Sequence, residues 1–200
     1  MLKKATFKLI ALALIILLAA NSCEQQSQYE KEVQDFRAMK NENFTKPGSS
    51  PLAKDQLENF KGLQYFEINS NYKMEAQFIP AKIQQYVRLF DSDDVKQVHV
   101  ISGTLHFNID GTPLTLLAYS SAGRAPHSLF IPFSDTHKNS YPGGRYVDGK
   151  LMNDSTCLID FNLSYNPYCV YNELYKCALV PKKNKLKVAV PAGEKWENSH

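Results

Sequence analysis

Charge of one sign is scarce in this 200-residue chain. Its 23 lysines and arginines face 20 aspartates and glutamates, and the formal excess of +3 is carried by Lys3, Lys4 and Lys8, because no acid precedes Glu24. The rest is close to neutral and lacks the basic footprint of a nucleic-acid binder, which excludes nucleic acid as a partner. Long apolar runs are missing too. The uncharged stretch Leu9 to Ala20 is roughly a dozen residues, short of the ~20 that a spanning helix needs, so a permanent transmembrane anchor is not expected. No repeat of fixed period is present. Several enzyme signatures are absent as well. His99 and His106 fall on neighbouring expected strands, His127 and His137 flank another, and His200 is terminal, with no His-Glu-x-x-His zinc signature among them. Ser128 beside His127 lacks the Gly-x-Ser-x-Gly elbow of hydrolases, and Ser134-Asp135-Thr136 falls short of a triad. Gly143-Gly144 is too brief for a phosphate loop. No second closely spaced Cys or His pair completes a four-ligand metal site. Neither metal nor cofactor is expected.

What is present begins at the N-terminus. Lys3, Lys4 and Lys8, then the apolar run, then Ala20-Asn21-Ser22 before Cys23, have the order of a secretory signal peptide. A cysteine closing such a segment, with Ala20 three before it and Ser22 just before it, resembles the lipobox of bacterial lipoproteins. That resemblance implies cleavage before Cys23, lipidation of Cys23, and a membrane partner reached through the anchor in the bacterial cell envelope. Ordinary signal cleavage is the alternative. The expected organisation is a signal peptide at 1–22, a lipid-anchored linker with a short helix at 23–50, and a single β-rich domain at 51–200. The remaining length of about 178 residues suits one domain.

The linker is Glu-, Gln- and Lys-rich, with Tyr29, Val33, Phe36 and Met39 spaced for one helical stripe. Pro47-Gly48-Ser49-Ser50-Pro51 ends any helix, and residues 52–61 allow one more short helix with Leu57 and Phe60 as apolar contacts. From Leu63 onward the period is two. Strands are predicted at Lys73 to Pro80, Val95 to Ile101, Gly103 to Ile109, Leu114 to Tyr119, Ser128 to Phe133, Arg145 to Val147, Thr156 to Phe161 and Leu186 to Val190. Asp110-Gly111 predicts a tight hairpin between the third and fourth. The fold class is therefore mainly β, an antiparallel sandwich or open barrel with one or two short N-terminal helices.

The second half carries Phe-Ile-Pro-Phe-Ser-Asp-Thr (130–136), Tyr-Pro-Gly-Gly-Arg-Tyr (141–146), Ile-Asp-Phe-Asn (159–162), Tyr-Asn-Pro-Tyr-Cys-Val-Tyr (165–171) and Val-Pro-Ala-Gly-Glu-Lys (190–195). In this order the segments resemble the domain of unknown function 1684 (DUF1684), a family of uncharacterised bacterial and archaeal proteins. The resemblance runs from about residue 35 to 195. Asp135, Thr136, Arg145, Tyr146, Asp160, Asn162, Asn166, Pro167, Cys169, Cys177, Glu194 and Lys195 stand at matching positions. The chain departs from the pattern at His137 to Ser140, where the family has a small-residue turn. The resemblance implies no settled activity.

Read from chemistry alone, Arg145 beside Asp135, Asp160 or Glu194 is either a buried ion pair that fixes loops or the anchor of an anionic ligand. Asp160 and Asn162, two apart, share a strand face. Outside the cytoplasm Cys169 and Cys177 are expected to form a disulfide, leaving Cys157 as a buried small hydrophobe. Tyrosines 165 to 175 either cap the sheet or stack on a sugar. Three functional classes follow. The preferred one binds a small polar or anionic ligand in a loop-lined cleft made by Arg145, Asp160, Asn162, Asn166, Glu194 and Asp135. The second is a hydrolase-like enzyme with Asp160 or Glu194 as carboxylate general base. The third is a structural or partner-binding envelope protein.

Overall fold

The computed structural model describes residues 2–46, 48, 50–89, 98–120 and 127–196, with side chains from Glu24 onward. The Cys23 side chain, residues 95–97 of one expected strand, and His200 lie outside that set. The chain divides into two compact units, Met1–Ala38 and Met39–His200.

The first unit is helical. Helix α1 runs Leu2–Thr45, so the polar stretch after Cys23 is helix rather than an extended linker. Gln26 and Gln28 reach Glu30 and Glu32 one turn on, and Glu, Gln, Lys and Ala are good helix formers with no Gly or Pro before Pro47 to stop them. Residues 39–45 of α1 belong to the second unit.

The second unit is a closed antiparallel barrel. Helix α2, Lys54–Asn59, precedes strands β1 (Lys73–Pro80), β2 (Tyr86–Arg88), β3 (Val98–Ile109), β4 (Thr112–Ser120), β5 (Ser128–Phe133), β6 (Arg145–Asn153) and β7 (Thr156–Asp160). The hydrogen-bonded order is β1-β7-β6-β5-β4-β3, and a further β1–β3 pairing closes the six into a ring, with β2 added to β3. Closure depends on β3. It is a single 12-residue strand where two short ones are predicted, with a bulge between Ile101 and Gly103. There it passes from β2 to β1, Pro80 pairing with Gly103. A side chain at 103 would run into the Ile79 carbonyl and the Phe78 ring, so this crossing needs glycine. At the β3–β4 hairpin Asp110 and Gly111 have φ of 48° and 78°, the positive pair the sequence predicts.

Alternation fills the barrel. Ala76 and Phe78 from β1, Leu105 and Phe107 from β3, and Leu129 and Ile131 from β5 are buried in one apolar core. Outside β4 to β6, Tyr119, Phe130, Tyr146 and Ala178 form a second cluster with Leu89, so these strands bury both faces. The expected strand at Leu186 to Val190 is not a ladder. Only Lys185 bridges Ser134, while Leu186 and Val190 are buried in the barrel core. The alternation is real, but the partners of this backbone are the 134–136 loop and a side chain: Leu186 donates to Ser134, Thr136 donates to Val188, and the Val190 carbonyl accepts from Arg145.

Candidate functional site

Arg145 is the first residue of β6 and is fully buried. Gly144 before it has φ 96°, and a Cβ there would strike Val180 and the Phe133 carbonyl, so the turn that delivers Arg145 inward admits only glycine. One guanidinium nitrogen donates to the carbonyls of Ala192 and Glu194. The other donates to Asp135 Oδ2 and the Val190 carbonyl, each at 2.8 Å. Phe66 and Phe133 flank the cation, their ring centroids 5.6 and 5.2 Å from it. Burial draws the guanidinium down from its ordinary value while Asp135 and Glu194 hold its proton. The Asp135 side chain is as buried as its partner. Its Oδ1 accepts from the His137 amide and the Ser140 hydroxyl, so the 137–140 loop supplies these donors. The sequence leaves three carboxylates open as partners for Arg145; the fold selects Asp135 and adds three backbone carbonyls of residues 190–194.

Glu194 carries the same segment outward. Its side chain is fully buried and forms an ion pair through Oε1 with Lys40. Oε2 accepts from the Asn166 amide at 2.7 Å and from the Tyr171 hydroxyl at 3.1 Å. Burial lowers the Lys40 pKa against the pull of Glu194, and raises that of Tyr171, an effect that Glu194 reinforces. The Lys40 ammonium also sits 4.5 Å from the Tyr165 ring centroid. Sequence reasoning missed Lys40, because one lysine among many on a polar helix gives no signal. Asn166, 1% exposed, is held by three contacts. Besides its backbone bond to Glu194, its Nδ2 donates to the Lys195 carbonyl at 3.0 Å and to the Tyr171 hydroxyl at 3.2 Å. The Lys195 carbonyl can only accept, which fixes the orientation of the amide. Among the described residues Asn166 Oδ1 is buried and meets no hydrogen-bond donor.

Asp160 and Asn162 serve a different contact. Asp160 Oδ1 accepts from both the backbone and side-chain amides of Asn162. The Asn162 side chain then bonds the Asn69 backbone in both directions, fixing the entry to β1. Asn184, unmarked by the sequence reading, does similar work: fully buried, it bonds Leu117 through its amide and carbonyl and reaches the Pro132 carbonyl. The Cys169–Cys177 disulfide is formed, with Cα atoms 6.0 Å apart. Cys157 is free and buried, its thiol pushed up to about 11 by burial.

Asn166, one of the six expected ligand-binding residues, lines a cleft. The cleft is about 400 Å³, bounded by Leu52, Gln56, Asn59 and Phe60 of the α2 region, residues 61–64, Asn166, Val170, Tyr171, Lys195 and Trp196. Among the described residues no three His, Cys, Asp or Glu side chains gather into a metal site.

A family model described as a protein of unknown function, DUF1684, matches residues 58–195. Among solved structures, the solution NMR structure of an uncharacterized protein of Haloarcula marismortui is similar, with 33% identity and a TM-score of 0.70. The likeness covers 88% of this chain and 99% of that one. No curated protein matches.

Proposed function

This chain belongs to the DUF1684 family of proteins of unknown function, and from its own geometry we propose that it is a cell-envelope lipoprotein that binds a small polar ligand in the cleft lined by Asn166. The observation that carries the proposal is Asn166 Oδ1. A buried acceptor left without a donor is destabilised by about 1–3 kcal/mol, and the residue that carries this one lines a cleft of ligand size. A hydroxyl or N–H of a ligand would satisfy it once the Asn166 side chain turns that oxygen toward the cleft. Within this reading Asn166 and Tyr171 line the site, Glu194 and Lys40 position them from behind, and Arg145 with Asp135 fixes the 190–194 segment. Asp160 and Asn162 hold the entry to β1.

The envelope location rests on the basic start, the short apolar run and Cys23, and is supported by a Cys169–Cys177 bridge of the kind that persists in oxidising compartments. The test is mass spectrometry of the full chain made in a bacterium and extracted in detergent. We expect the intact mass to show loss of residues 1–22 and acyl chains on Cys23. Under native conditions a small molecule should travel with the protein and leave on denaturation. An uncleaved or unacylated N-terminus would overturn the anchor. A protein that neither retains a small molecule nor takes one up from cell extract would overturn the binding site.

A further inference from the structure

We infer that the cleft selects a hydroxylated carboxylate of the sugar-acid class. This rests on the cleft being a binding site and names what would fill it. Charge comes first: the lining holds two cations, Lys61 and Lys195, and no carboxylate. Among the described residues neither lysine is in an ion pair, and Lys195 rests its ammonium 5.4 Å from the Phe66 ring centroid. Glu194, which meets the lining residues Asn166 and Tyr171, is already matched by Lys40, Asn166 and Tyr171. Among the described residues an anion entering the cleft therefore meets two lining cations and no lining carboxylate.

Hydrogen bonding then separates a hydroxylated anion from a simple one. Asn166 Oδ1 accepts only, so an acetate or fully ionised phosphate has nothing to give it, whereas a hydroxyl donates. Gln56, Asn59 and Gln64 line the same space; amides both donate and accept, which matches hydroxyls that do the same. Shape supplies the third part. Phe60, Tyr171 and Trp196 put three aromatic residues in the lining, the residue type suited to the apolar C–H face of a sugar ring.

Trp196 is the chain's single tryptophan, so the cleft carries its own reporter. The experiment titrates the full chain in detergent with D-glucuronate, D-glucose, acetate and inorganic phosphate, following Trp196 emission. We expect glucuronate to give a saturable change and to bind about tenfold more tightly than glucose, the worth of one charge-assisted hydrogen bond. Lys195→Gln should narrow that difference, and Lys61→Gln together with Lys195→Gln should remove it. Equal affinity for glucuronate and glucose, unchanged by Lys195→Gln, would overturn the acid requirement while leaving the cleft as a binding site. Acetate or phosphate matching glucuronate would overturn the sugar requirement in the same way. Silence towards all four would overturn the ligand class, and the small molecule retained in the native mass spectrum judges the binding site separately.

Discussion

Arg145 shows how one side chain can organise a segment without regular secondary structure. Residues 190–194 turn three carbonyls inward, and a fully buried fork of N–H groups meets them together with the Asp135 carboxylate. Removing one member of such a buried pair is worse than never having it, because the other charge stays behind without compensation. Arg145→Met should lower the unfolding free energy by about 3–5 kcal/mol, read as a reduced urea midpoint. It should also expose the Glu194 amide, which donates to the Ser164 carbonyl, to hydrogen exchange. A midpoint within error of the parent would show that the network is dispensable. At this scale the sequence indicates which residues matter better than what they touch. Asp135, Arg145, Asn162, Asn166 and Glu194 are all buried polar centres, yet their partners are largely backbone groups, and a carbonyl leaves no signature in a sequence. Asn184 escapes notice for the same reason, and Lys40 because one lysine on a polar helix does not stand out.

Among the elements, the loop closed by Cys169 and Cys177 joins fold to cleft. It carries Val170 and Tyr171 into the cleft wall, and Tyr171 meets both Glu194 and Asn166. In the chain-entropy model a bridge around so short a loop is worth about 2–3 kcal/mol. The paired change Cys169→Ser with Cys177→Ser should therefore lower the melting temperature by several degrees, about 2–4 °C per kcal/mol for a domain of this size, with the barrel circular dichroism retained. An unchanged melting temperature would mean that the loop is held by its side-chain contacts alone. Period two marks strands where it coincides with a ladder: β1 and β5 keep their predicted limits. Elsewhere another force writes the same pattern. Leu186 and Val190 alternate because they plug the barrel, and β3 reads as two strands because the bulge at Gly103 interrupts its alternation. The short strand β2, three residues with mostly exposed side chains, offers too little pattern to find.

For the whole molecule the pH response follows from its buried phenols. Burial pushes Tyr119 up to about 12 and raises Tyr146 and Tyr171 as well, so the native state holds protons that an unfolded chain releases near pH 10. Stability from these groups is complete below about pH 10 and declines as pH rises toward the native values. Lys40 has the opposite sign, since its depressed pKa favours the native state as pH climbs to its ordinary value, but it stands against five raised phenols, with Tyr72 and Tyr168 beside the three above, and the Cys157 thiol. We expect a flat urea midpoint to about pH 8.5, where the thiol of an unfolded chain begins to ionise, then a decline accompanied by a further rise in tyrosinate absorbance as the buried phenols are released by unfolding. A tyrosinate titration that runs to completion in the folded protein near pH 10 would contradict the burial of these hydroxyls.

The sequence by itself determined the β class, the Asp110-Gly111 hairpin, the pairing of Cys169 with Cys177 and the family, because alternation, turn chemistry and motif order are local properties of a chain. Tertiary structure alone decided that β1 returns to β3 and shuts the barrel, that Arg145 chooses Asp135, and that Asn166 keeps one unpaired oxygen in a cleft built from residues far apart in the chain. Those outcomes depend on which distant backbone groups arrive beside a side chain, and only the folded chain brings them together.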